Sequence, residues 1–273
     1  MTMHTFARAS GWMASILLVL TPLPAGAQTL ERRIASAPAG SVGFVFTTRP
    51  NVCGDGISIT LSDDTSDGWT TRSTRRGTHI GRSMSNYSEP CQTGLARVVL
   101  KRTASAVSSV TVTVGGRPER ADTEIADVSS AEAAHYLLLV APQLRLRSAE
   151  NAVMGAAIAD SALIWRRLLE IARDAKASES SRKASIFWLS HEATAAALAG
   201  LDTIATDDDG DTAVRADALF HLANRPGGEG VPVLIRVVET SSNRKLRRDA
   251  LWHLSQSGDP RALSLFEQLL TRN

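Results

Sequence analysis

A chain of 273 residues with 43% hydrophobic and 21% charged side chains is globular in composition and long enough to bury a sizeable core. Its formal charge of +2 lacks the basic excess of a dedicated nucleic-acid binder, so no nucleic acid is expected as partner. Two cysteines are too few for a zinc finger or for a scaffold held by disulfides alone.

The chain opens on a weakly basic stretch with His4 and Arg8, followed by the apolar run Trp12 to Leu20. Pro22 and Pro24 break that run, and Ala25-Gly26-Ala27 matches a small-x-small cleavage site with Gln28 as the expected mature start. Residues 1–27 therefore read as a signal peptide. The apolar run is too short to span a bilayer, and no membrane span is expected once it is removed. Export to a periplasm or to the exterior follows from this reading.

Residues 28–120 read as a small β domain with a linker. Four stretches alternate with a period of two: Val42, Phe44 and Phe46; Ile57, Ile59 and Leu61; Val98 and Leu100; Val110, Val112 and Val114. One face to bury and one to wet is the pattern of antiparallel strands. Pro50-Asn51, Gly54-Asp55-Gly56 and Gly115-Gly116 supply turn chemistry. Four short strands make a small core that needs help from a neighbour or a staple. Cys53 and Cys91 are expected to provide it as a disulfide, worth roughly 3–4 kcal/mol for a loop of that length. The enclosed segment 62–90 is polar yet holds Trp69, Arg72, Arg75 and Arg76. Arginines interleaved with an aromatic suit an acidic partner, while a solvated excursion accounts for the same composition. Residues 117–127 are polar and charged and read as a linker.

The second half is helical. Ser129 to Glu132 has the spacing of a capping box. Three stretches then repeat: Arg182 to Leu189, Arg215 to Leu222 and Arg247 to Leu254, with their final leucines 33 and 32 residues apart. Each has a basic start, a small residue at the fourth place, apolar and aromatic residues next, and leucine at the eighth. Leu222 and Leu254 close the apolar faces and should be core. A second helix follows each stretch, near 193–204, 232–239 and 260–270, and an earlier pair lies near 151–159 and 162–173. A helix pair recurring about every thirty residues is an α-solenoid.

Leu246-Arg247-Arg248-Asp249-Ala250-Leu251-Trp252-His253-Leu254, followed by Gly258-Asp259-Pro260-Arg261-Ala262-Leu263, resembles the HEAT repeat family, including the short repeats also found in phycobilisome lyases. The resemblance covers about residues 150–273 and departs from the family pattern at 190–206, where the Asp-Pro turn is missing. It implies a protein-binding surface, with catalysis the exception. The expected fold is thus α+β, mainly α: a small antiparallel β domain, then a HEAT-like α-α solenoid over 121–273.

No nucleophile motif, phosphate loop or dinucleotide fingerprint appears, and no cofactor, metal site or catalytic residue is expected. His221 and His253 fall one repeat apart, about 10 Å between packed helices, too far to share one metal. Trp188 holds the equivalent position. Asp207-Asp208-Asp209-Gly210-Asp211 fails the EF-hand spacing and reads as an acidic turn, with Asp211 capping the next helix. The expected function is an exported, non-catalytic scaffold or adaptor of the bacterial envelope that binds another protein. Arg215, Arg247 and Arg248 join the four loop residues as candidate contacts. The residues 28–149 carry a balance of +3 and 150–273 one of −2, which suits two distinct surfaces. The alternative is an enzyme or lyase-like subunit holding a small ligand between the β and helical parts, near Trp165 and His135.

Overall fold

The structure is a computed structural model that describes residues 29–61, 69–74, 77–82, 91–117, 119–160, 163–191 and 195–271. The expected signal peptide lies outside these residues. The observed class is α+β, mainly α, as the sequence indicates.

Two sheets precede the helices. The first joins β1 (Gly40–Thr47), β7 (Leu95–Arg102), β8 (Val107–Val114) and β9 (Thr123–Ile125) in the order β8-β7-β1-β9. The strands β1, β7 and β8 pair antiparallel, whereas β9 lies parallel to β1. The alternation found in the sequence is the burial pattern here: Val42, Phe44, Phe46, Val98, Leu100, Val110, Val112 and Val114 are all buried. The expected linker does not hold over its whole length. Asp122 accepts hydrogen bonds from the Ser41 backbone (2.9 Å) and hydroxyl (2.7 Å), and Arg97 pairs with Glu124 at 2.6 Å. Those charges read as solvated in the sequence, yet they tie β9 to the sheet edge.

The second sheet runs β5-β4-β3-β2-β6, from β2 (Val52–Gly54), β3 (Ser58–Leu61), β4 (Trp69–Thr74), β5 (Gly77–Arg82) and β6 (Gln92–Thr93). So the four alternating stretches do not form one sheet, and the polar excursion contains an antiparallel hairpin, β4 with β5. Ile57 lies just before β3 and is exposed, out of step with the expected face, while Ile59 is buried. Cys53 on β2 and Cys91 beside β6 form the expected disulfide, with Cα atoms 5.3 Å apart. The two sheets meet where a side chain would not fit: a Cβ on Gly54 would lie 2.4 Å from the Val114 carbonyl oxygen, and Gly115, at φ +66°, faces the Gly54 carbonyl in turn.

A short helix missed in the sequence, α1 (Leu30–Ser36), buries Leu30 and Ile34. Then come α2 (Ser130–Val140), α3 (Leu146–Ala157), α4 (Trp165–Arg173), α5 (Glu179–Ser190), α6 (Ala195–Thr206), α7 (Thr212–Ala223), α8 (Val231–Thr240), α9 (Arg244–Ser257) and α10 (Pro260–Thr271). The capping box opens α2 as expected: the Ser129 hydroxyl accepts from the Glu132 amide, and Glu132 accepts from the Ser129 amide. Helices α3, α5, α7 and α9 stack in one layer and α4, α6, α8 and α10 in a second; across the layers α4 packs on α5, α6 on α5 and α7, α8 on α7 and α9, and α10 on α9. This is the four-hairpin solenoid implied by the 33- and 32-residue spacings. Leu222 and Leu254 are both buried to 1% exposure.

The apolar core runs without a break across residue 120. Helix α3 packs on β8, where buried Asn151 donates to the Val110 carbonyl at 2.9 Å. Backbone bonds from Arg49 to Ile158 and from Asp160 to Thr47 close the seam. The first sheet therefore covers the open end of the helix stack, the place where a solenoid needs a cap.

Candidate functional site

On a helix, residues four apart share a face, so stacked helices carry side chains in rows. In the inner layer the buried row of α7 is Val214, Ala218 and Leu222, and that of α9 is Leu246, Ala250 and Leu254. Phe220 lies two residues past Ala218, about 200° round the helix, and must point away from that core. It is 51% exposed, and its repeat equivalent Trp252 is 60% exposed. The third member, Phe187, is half-buried.

These rings belong to a ladder along the layer. Phe187 stands 5.2 Å from Trp188, 4.3 Å from His191 and 5.6 Å from His221 between ring centres. Phe220 reaches His253 at 6.0 Å, and Trp252 stands 4.9 Å from His253. The two repeat histidines thus pack between aromatics rather than converge on one point. The Ser190 hydroxyl lies 3.3 Å from His221 Nδ1. Burial, helped by the nearby charge of His191, pushes the His221 imidazole down to about 4, and burial lowers His253 as well. Both are neutral rings at pH 7. Among the described residues, no group of three His, Cys, Asp or Glu side chains is placed to hold a metal ion.

A groove of about 490 Å³ crosses α3, α5 and α7 beside this ladder. One row along it is polar: Glu150, Lys183 and Asp217. The row one turn further on is apolar: Met154, Phe187 with Trp188, and Phe220 with His221. Glu179 holds Lys183 at 2.9 Å and raises its ammonium above the ordinary lysine range. Asp217 is different. Burial raises its carboxyl above the usual range despite the attraction of Lys183, and among the described residues no donor reaches its carboxylate. At the rim sits Leu146, 75% exposed and at φ +49°, a left-handed conformation that leucine rarely adopts.

The arginines expected as contacts lie elsewhere. Arg215 is 2% exposed: Nε donates to the Ala205 carbonyl (3.2 Å), and one terminal nitrogen reaches Asp208 (2.9 Å) and the Ser241 hydroxyl (3.4 Å). It holds the acidic turn against the next hairpin and is closed to a partner, which corrects that expectation. Arg247 is half-buried and donates to the Ser241 carbonyl at 2.7 Å. Arg182, the first repeat's equivalent, pairs with Asp211 at 3.0 Å. The acids beside Arg182 and Arg215 both come from the turn before α7. Arg248 is exposed. Asp211 caps α7 as expected, accepting from the Ala213 amide at 2.8 Å. Trp69 and Arg72 fall within β4 by their backbones, and Arg75 and Arg76 lie outside the described residues. Trp165, under the Arg166 guanidinium at 5.2 Å, and exposed His135 do not line the groove.

The sequence reading missed Glu150, Lys183, Asp217, Phe220 and Trp252 as a surface. The angular offset of Phe220 and Trp252 from the buried row was the available signal. No characterised protein matches the chain. Residues 203–273, which span α7 to α10 and part of α6, match the family model for HEAT repeats.

Proposed function

We propose that the chain is an exported, non-catalytic scaffold or adaptor of the bacterial envelope that holds another protein against the inner layer of its helices. The observation that carries this reading is the row of aromatic side chains left open beside the groove, with Phe220 and Trp252 more than half exposed. Large apolar side chains grouped next to a concave surface mark contact sites, whereas isolated ones need no explanation. HEAT repeats over 203–273 support the protein-binding role. Support for export comes from the apolar run at Trp12 to Leu20 with Ala25-Gly26-Ala27 behind it, and from a disulfide of the kind that persists in oxidising compartments.

A photo-crosslinking residue placed in turn at Phe220, at Trp252 and at exposed Glu239 on the outer helix α8 tests the reading in an envelope extract. A discrete adduct from 220 and 252, absent from 239, is the expected result. No adduct from 220 or 252, or the same adducts from all three positions, refutes it.

A further inference from the structure

The groove has a charge as well as a shape. Its lining carries Glu150, Glu179 and Asp217 against Lys183 alone, and His221 adds no charge at pH 7. Lys183 is already held by Glu179. That leaves Asp217, half-buried and without a donor among the described residues, one helical turn from Phe220 on α7 and lining the same groove as Phe187. A half-buried carboxylate without a donor is costly for the free protein, and so are the exposed ring of Phe220 and the left-handed, exposed Leu146 at the rim. One kind of occupant pairs the carboxylate and covers the exposed side chains of Phe220 and Leu146.

We infer that the groove across α3, α5 and α7 takes an arginine side chain from an apolar segment of the partner protein, with the guanidinium lying on the aromatic row and hydrogen-bonded to Asp217. A helical turn is 5.4 Å, and a cation is held within about 6 Å of a ring centre, so one guanidinium spans from ring to carboxylate. Arginine fits better than lysine because its planar fork stacks on an aromatic face and still donates sideways to a carboxylate. Apolar neighbours of that arginine cover Leu146. This inference rests on the proposed binding role and names the chemistry of the partner.

Selection of random twelve-residue peptides on the immobilised, disulfide-bonded chain tests it. The enriched peptides are expected to share an arginine beside apolar residues. Replacing that arginine by glutamine is expected to weaken binding at least tenfold, and Asp217→Asn in the protein should abolish the preference for arginine over glutamine. Melting curves of the Asp217→Asn protein, expected to be at least as stable as the parent, show that the loss is not unfolding. Phe220→Ser provides a second arm that keeps the carboxylate and removes the ring, and arginine should then bind no better than lysine. Enriched peptides that lack a basic residue, or that bind Asp217→Asn as well as the parent, overturn the inference and leave a peptide-binding groove standing. If no peptide is enriched on the groove, both the inference and the binding role fall.

Discussion

Replacing Arg215 by alanine is expected to destabilise the chain by about 3–5 kcal/mol, the range for removing one partner of a buried, hydrogen-bonded charge. The structure shows where the cost arises. The side chain is 3% exposed, so truncation loses the burial of two methylenes, about 0.8 kcal/mol each. The carbonyl of Ala205, a residue with no exposed surface, loses its Nε donor at 3.2 Å, which costs about 1–3 kcal/mol if the group stays buried. Asp208 contributes little, because its side chain is 57% exposed and water replaces the guanidinium. Arg215→Met retains the stem and should lose only the hydrogen-bonding part. Arg247→Ala removes one bond, to the Ser241 carbonyl at 2.7 Å, from a half-buried residue, and is expected to cost about 1 kcal/mol or less. Urea denaturation followed by circular dichroism and tryptophan fluorescence ranks the three variants. Equal losses for Arg215→Ala and Arg247→Ala, or a loss under about 1 kcal/mol for Arg215→Ala, would refute the assignment of Arg215 to the interior.

Leu254→Ala, at a site 1% exposed in the last hairpin, should cost about 2–5 kcal/mol and speed amide exchange in α10, as hydrogen exchange would record. Because burial holds His221 at about 4 against an ordinary 6.5, the unfolded chain binds this proton first, and the stability from this site, fully present above pH 6.5, is lost as pH falls towards 4. At about 1.4 kcal/mol per pH unit this amounts to roughly 3 kcal/mol, and His221→Gln should flatten the stability profile over that window. Removing both cysteines opens a loop of 38 residues and should lower stability by about 4 kcal/mol in the chain-entropy account, read as a shift in the urea midpoint.

Much of this fold is legible in the sequence, and the parts that are not share a physical cause. Val42, Phe44 and Phe46 alternate because one face of β1 is buried, and the same holds for β7 and β8. The repeat leucines mark the inner helices because each helix has one buried stripe. Strand β9 was invisible because its three residues, Thr123 to Ile125, are held by Asp122 with Ser41 and by Glu124 with Arg97, contacts made with residues far away in sequence. The hairpin of β4 and β5 carries no apolar alternation, since Thr-Thr-Arg-Ser-Thr reads as loop in any local window. Helix α1 offers only Leu30 and Ile34 as signal, and its register is set by packing near α2. The disulfide was legible because two cysteines allow a single pairing.

The candidate site shows the same limit at the level of one repeat. A basic residue opening each repeated stretch and an aromatic at its sixth place both recur, and the angular offset of the aromatic from the buried row is the one local sign that favours it as the contact. The layers decide it. The basic position faces the turn of the neighbouring hairpin, where Asp208, Asp211 and the Ser241 carbonyl wait, so Arg182, Arg215 and Arg247 are used up in stacking one repeat on the next. The sixth position points away from the outer layer, where nothing among the described residues covers Phe220 or Trp252 to the degree that Leu222 and Leu254 are covered. Stacking therefore spends the charged repeat position on cohesion and leaves the aromatic one open. Asp217 then gives the open face its sign, because its repeat equivalent Asp249 is paired with Lys245 at 3.0 Å while Asp217 receives no such donor among the described residues.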